Sequence, residues 1–120
     1  MNKQNIGFEK EKDIANFLIG KGFEILNLNF TLPCGEIDIV AKDKRDIVFI
    51  EVKYRKSNYA GTPQEAVSIQ KQKKLIKTAL IYMQQNEISA NVRFDVAAIS
   101  KDKIEIIRSA FVPDENIYCF

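Results

Sequence analysis

The stretch "GEIDIVAKDKRDIVFIEVKYR", residues 35–55, restricts the fold more than any other part of the chain. Two runs rich in Ile and Val flank the polar "KDKRD", which is the pattern of a β-hairpin. The second run, "IVFIEVKY", is almost continuously apolar, as in a strand covered on both faces. Yet Glu36, Asp38, Glu51 and Lys53 stand inside these runs. Isolated charges in a covered sheet need a reason.

With the turn centred on Lys44 and Arg45, Asp38 falls opposite Glu51, and Glu36 opposite Lys53. Directly opposed side chains share a face, and alternation along the strand puts Glu51 and Lys53 together. Asp38, Glu51 and Lys53 therefore converge on one side of the sheet, with Glu36 nearby. A slip of one residue would destroy this convergence. Adjacent carboxylates repel, and one of a pair tends to keep a proton. A lysine relieves part of that repulsion, and a hard divalent cation relieves more. Mg²⁺ (or Mn²⁺) takes oxygen ligands, often one or two carboxylates with waters and phosphate oxygens. Asp38 and Glu51 are the expected ligands, with the Val52 carbonyl completing the protein's share. Lys53 would orient or deprotonate the attacking water and balance the charge that develops on the phosphorus oxygens. This set suits hydrolysis of a phosphodiester. The competing reading is an ordinary solvated face of a half-exposed sheet, since Glu-x-Lys on a strand is common.

The rest of the chain narrows the choice. It has 120 residues, the size of one domain over 1–120, and 46% hydrophobic residues, enough for a core. There is no histidine, which removes Ser-His and Cys-His nucleophiles and the commonest zinc ligand. Cys34 and Cys119 lack metal-ligand spacing and read as free thiols of a cytoplasmic protein. No apolar run reaches membrane-spanning length, and "MNKQNIGFEKEKD" lacks a signal core.

A helix is predicted from about Phe8 to Lys21, ending at Gly22 as C-terminal cap. "FEILNLNF" predicts a strand, "TLPCG" a connector, and "RKSNYAG" a loop. Over "TPQEAVSIQKQKKLIKTALIYMQQN", Thr62, Pro63 and Glu65 form a helix start. Ser68 is an alternative cap, of a second helix. Ile69, Ile76, Ala79, Leu80 and Met83 are the expected apolar stripe. "NVRFDVAAIS" and "KIEIIRSAF" predict two further strands, and the tail "VPDENIYCF" is irregular. Arg93 and Asp95 alternate onto one strand face and are expected to form an ion pair under the site. The order of elements is that of a mixed α/β domain whose helices cover a central sheet.

"GEIDIV" followed by "FIEVKYR" resembles the PD-(D/E)XK nuclease superfamily, whose signature is an acid on one strand and an acidic-x-Lys on the next. With "EKDIANFLIGKGF", "NF", "GTPQEAV", the lysine-bearing helix and "RFDV" in this order, most of the chain resembles the YraN-like family of bacterial endonuclease-like proteins. The resemblance implies a restriction-endonuclease-like mixed central β-sheet flanked by helices. It puts Asp38 at the first acid and Glu51 and Lys53 at the acidic-x-Lys. It also puts Glu11 where similar nucleases, archaeal Holliday junction resolvases among them, carry a helix glutamate near the metal. Glu9 competes for that role, and Glu11 as a solvated helix residue is the other reading. Ile37 stands where the superfamily's proline would be.

Lys71 and Lys74 share a helix face, and Arg55 follows the active strand. These three are the expected phosphate contacts, against the alternative that lysines on a helix serve solubility. Tyr54 and Tyr59 are candidates for base stacking. The expected partner is nucleic acid, DNA in preference to RNA, cut in branched or damaged structures. A homodimer is an open possibility, since two symmetric cuts require a two-fold assembly. A binding domain that kept the fold without the activity, and a protein-interaction domain, are the alternatives.

Overall fold

The computed structural model describes residues 3–54, 67–100 and 103–113, with residues 3–10 as backbone only. Helix α1, Lys3–Gly20, begins earlier than the periodicity indicates. It stops where expected. Gly22 has φ 95°, the Phe23 N–H donates to the Leu18 carbonyl at 3.0 Å, and the Gly22 N–H to that of Ile19 at 3.0 Å. That pair of bonds is the glycine-terminated helix end in which the last carbonyls find donors.

The strands are β1 Glu24–Leu32, β2 Gly35–Asp43, β3 Asp46–Tyr54, β4 Val92–Ser100 and β5 Lys103–Phe111, and helix α2, Ile69–Gln85, lies between β3 and β4. Thr31 and Leu32 belong to β1, not to a connector. The strands form one sheet in chain order. Neighbours are antiparallel except β3 and β4, which are parallel. A parallel pair needs a long crossover, and α2 lies within it.

Strand β3 is covered on both faces, as its apolar run requires. On one side Ile14 and Leu18 of α1 meet Ile39, Ala41, Val48, Ile50 and Ala97. On the other, Leu75, Ile76, Ala79 and Tyr82 of α2 meet Val40, Phe49, Phe94 and Val96. The Tyr82 ring stands edge-on to Phe30 and Phe49, at 5.0 and 5.7 Å.

Ser68 caps α2: its side chain accepts from the Lys71 N–H at 3.1 Å. The candidates Thr62, Pro63 and Glu65 lie outside the described residues, as do Arg55, Tyr59 and Cys119. The apolar stripe of α2 differs from the expected one. Ile69 and Leu80 are exposed, while Gln72, Leu75, Ile76, Thr78, Ala79, Tyr82 and Met83 are buried. Leu80 is one step past Ala79, which turns it off the sheet, and Ile69 sits at the helix's open first turn. Gln72 takes a buried place because its amide donates to the Val67 carbonyl at 2.9 Å.

Gly35 opens β2 directly beneath α2. A Cβ there would lie 2.8 Å from Thr78 Oγ1 and 3.4 Å from the Lys74 carbonyl oxygen, and Thr78 is fully buried. Gly35→Ala is therefore expected to cost about 1–3 kcal/mol by overpacking, read as a lower urea midpoint. An unchanged midpoint would mean that α2 shifts freely.

Two irregularities position the site. Leu28 pairs with Ile39 and both pack on the α1 side, whereas Phe30 pairs with Ile37 and both pack on the α2 side. Residues two apart on a strand ordinarily share a face, so the β1–β2 ribbon turns over between these pairs. The reversal falls at Asn29, with φ 55°, and at Asp38 across from it. Asn is among the few residues that tolerate that conformation. Asn29→Gly should be nearly neutral, and Asn29→Val should lose ~1–2 kcal/mol in thermal unfolding. The reverse ranking would exclude backbone strain as the reason for Asn.

The second irregularity is a fork. The β2–β3 ladder runs from Asp43–Asp46 to Ile39–Ile50 and ends there. Beyond it β2 stays with β1 as far as Leu32–Gly35, while β3 stays with β4 through Tyr54–Ile99. The two strand pairs diverge, leaving a gap at the next residues, Asp38 and Glu51.

Candidate active site in the strand fork

The turn is the one expected, with Lys44 and Arg45 as the loop closed by Asp43 and Asp46. Asp38 and Glu51 are thus next in register, but they stand where the ladder has opened. At the turnover the Asp38 side chain reaches across the gap, where its Oδ2 accepts from the Val52 N–H at 2.8 Å. The carboxylate replaces a ladder carbonyl that the fork has taken away. On an extended strand a residue's N–H and C=O leave by the same edge, so the Val52 carbonyl faces the gap too. The expected pairing of Glu36 with Lys53 is absent. Glu36 pairs with Thr31 of β1, and Lys53 with Ala98 of β4.

Glu51 follows Ile47 and Phe49 on the α2 face and is only 6% exposed. There it meets Lys71, whose Nζ lies 2.8 Å from Oε1. Burial works against the Lys71 ammonium. The hydrogen bond and charge of Glu51, the charge of Asp38 and the Lys53 amine together outweigh it, so its pKa is raised. Lys71 was an expected phosphate contact, and in this structure it is bound to a carboxylate. Lys74, the other expected contact on α2, is exposed.

Asp38 is pushed up to about 7, first by burial, then by the charge of Glu51. The Val52 N–H opposes this, and Glu11 and Glu36 add to the rise. Glu51, Glu11 and Glu36 therefore all act on Asp38 at the fork. Glu11 reaches it because of its place on α1. It lies on the same stripe as Ile14 and Leu18, one turn earlier, so the helix face that packs on the sheet also presents Glu11. The side chain of Glu9 is outside the described residues. Tyr54, 54% exposed, borders the cluster: burial, then Glu11 and Asp38, raise its phenol pKa.

The donor set fits a hard cation. It consists of carboxylates and a backbone carbonyl, with no softer ligand. Among the described residues no three of His, Cys, Asp and Glu form a ready cluster. An ion here would therefore have Asp38, Glu51 and the Val52 carbonyl from the protein and take its other oxygens from water or substrate.

Arg93 and Asp95 do pair, at 3.0 Å, but on the α1 face and towards the hairpin turn, the side of the sheet away from Glu51. Arg93 also bonds Asp43 at 3.0 Å and lies over the Phe23 ring. Asp95, fully buried, accepts further from the Ser109 N–H at 2.9 Å. This network ties β4 to the hairpin end and to β5.

Sequence reasoning did not find the Lys71–Glu51 pair or the role of Asn29. The helix start at Ser68 was the one signal that placed Lys71 in the first turn of α2, beside the fork.

This architecture is the restriction-endonuclease-like α/β fold. It is shared with a solved structure, Hjc of Archaeoglobus fulgidus, a Holliday junction resolvase from an archaeal hyperthermophile, at TM-score 0.51 and 20% identity over 92% of this chain and 88% of that one. Residues 10–99 match the Uncharacterised protein family UPF0102, and the chain belongs to that family, the YraN-like proteins. A UPF0102 protein of Thermodesulfovibrio yellowstonii is 48% identical over 111 residues, 92% of this chain and 99% of its own length. One of Lachnoclostridium phytofermentans is 43% identical over 113 residues, covering 92% and 96%. No helix among the described residues is long and apolar enough to cross a membrane.

Proposed function

We propose that this chain is a metal-dependent endonuclease that hydrolyses phosphodiester bonds in DNA, with branched or damaged structures as its substrates. The observation that carries the reading is the fork: two diverging strands hold Asp38 and Glu51 side by side, with the Val52 carbonyl edge-on to the same gap. Charges so placed disfavour the fold and are explained by what they bind. The shared architecture with a junction resolvase supports the choice of DNA.

Asp38, Glu51 and the Val52 carbonyl would hold Mg²⁺ or Mn²⁺. A hard ion, when bound, supplies Lewis acidity toward a phosphate oxygen and acidifies a water. The protein's own groups do the positioning. Asp38 keeps its carboxylate fixed through the Val52 N–H. Lys53 shares the Glu51 face and directs its amine at the attacking water and at the oxygens that gain charge. Glu11 is the auxiliary acid on the α1 side, and Lys74 and Arg55 contact flanking phosphates. A two-fold dimer would suit a junction with two symmetric strands.

One observation favours a second reading, a nucleic-acid-binding domain without activity: Lys71 already neutralises Glu51. Cleavage of duplex, single-stranded, flapped and four-way DNA and of structured RNA, with Mg²⁺ or Mn²⁺, separates the two. The nuclease reading expects cutting of DNA that EDTA abolishes and that Asp38→Asn and Lys53→Ala each reduce at least ~100-fold. Salt-sensitive binding without cutting would establish the second reading instead.

A further inference from the structure

We infer that Lys71 is an internal counter-ion that competes with the divalent metal for Glu51, so that the metal site is held weak until a phosphodiester draws Lys71 away. The inference rests on the nuclease reading above and adds a control element to it.

Glu51 is 6% exposed, and the Lys71 ammonium meets its Oε1 at 2.8 Å. A buried carboxylate needs a cation close by, and among the described residues Lys71 is the one that ion-pairs with it. Lys71 differs from its partner in being only partly covered, with 43% of its side chain exposed. The two groups are thus unequal. Glu51 is fixed in β3, whereas Lys71 ends on a flexible four-carbon stem whose root is held by the Ser68 cap. The stem can swing while its helix stays in place.

A divalent ion approaching Glu51 meets a like charge already in contact with that carboxylate. An ammonium and a dication on one carboxylate repel each other at close range, so the ion either binds weakly or drives Lys71 away. A phosphodiester arriving at the same gap changes the balance twice. It offers oxygens to the metal, and it offers an anion to Lys71. Lys71 then leaves a carboxylate for a phosphate without losing its ion pair. The first-turn position of Lys71 on α2 puts its swing range over the fork, so the phosphate contact expected from the sequence is the second of its two positions.

The test is Mn²⁺ binding followed by electron paramagnetic resonance at pH 8, with full-length protein and no nucleic acid. Lys71→Met is expected to bind Mn²⁺ at least about tenfold more tightly than the natural chain. Lys71→Arg, which keeps the charge, should stay within about threefold of it. Thermal unfolding of both variants without metal confirms that they are folded. Mn²⁺ should then raise the midpoint of Lys71→Met more than that of the natural chain. Equal affinity of the natural chain and Lys71→Met, or weaker binding by Lys71→Met, would overturn the inference and leave the nuclease reading standing. If Mn²⁺ binds neither protein, or binds Asp38→Asn just as well, the metal site itself is wrong and both fall together.

Discussion

Asp38→Asn is expected to melt at a higher temperature than the natural chain at pH 8 without metal, while losing the metal-dependent cleavage proposed above. The carboxyl of Asp38 is pushed up to about 7 by burial and by Glu51, so folding at pH 8 forces a charge into a place that disfavours it. The sign follows from linkage. A carboxyl whose pKa is raised in the fold favours the native state below its unfolded value, near 4, and that contribution is lost as pH rises through about 7. Asparagine has no proton to lose and can still accept from the Val52 N–H. The shift alone is worth ~4 kcal/mol, and burial of the asparagine amide offsets part of it, so the gain should be ~2 kcal/mol at pH 8 and shrink as pH falls from 7 towards 4. Thermal unfolding across pH 4–8 measures it. Mg²⁺ should raise the midpoint of the natural chain and leave the variant unmoved. A variant less stable than the natural chain at pH 8 would show that Asp38 is a structural acceptor and not a strained ligand.

Asp95→Ala carries the largest expected loss of stability. Asp95 is fully buried and accepts from Arg93 and from the Ser109 N–H. Its removal leaves a half-buried guanidinium short of a partner and a backbone donor unpaired, a cost of about 3–5 kcal/mol. Asp46→Ala removes a partner of the same Arg93, but one that is 3.8 Å away and 37% exposed. It should cost less than ~1 kcal/mol. Urea unfolding of the pair gives the comparison. Equal losses would mean that burial does not control the network. Because Arg93 and Asp95 lie away from the fork, Asp46→Ala should also keep the metal affinity of the natural chain.

The two predictions separate two uses of buried acid in one sheet. Asp95 has a cation and a donor supplied by its neighbours, so its charge strengthens the fold. Asp38 has one N–H and three acids acting on it, so its charge weakens the fold. A domain retains such a site at the expense of stability when the site serves binding or catalysis.

Much of this was readable in the order of residues. Hairpin, turn and register follow from alternation and from the polar loop at Lys44 and Arg45, both local in sequence. The Gly22 helix end and the Ser68 cap are likewise set by residues a few positions apart. The alignment of Asp38 with Glu51 was legible because a two-residue turn fixes the register as far as Ile39–Ile50, whereas the Glu36–Lys53 pairing fails because the ladder ends there. Glu11 needed the family resemblance, because its approach to Asp38 depends on how α1 lies on the sheet. The stripe of α2 went wrong at Ile69 and Leu80, since hydrophobicity alone does not say which turn of a helix meets the sheet. The chain by itself determined its strands, its hairpin and the acids they carry. The tertiary structure decided that the hairpin forks at Ile39–Ile50, that Asn29 turns the ribbon over beside Asp38, and that Lys71 lands on Glu51. Each of these needs β1, β4 or α2 in place, and packing between distant segments has no signature in short-range periodicity.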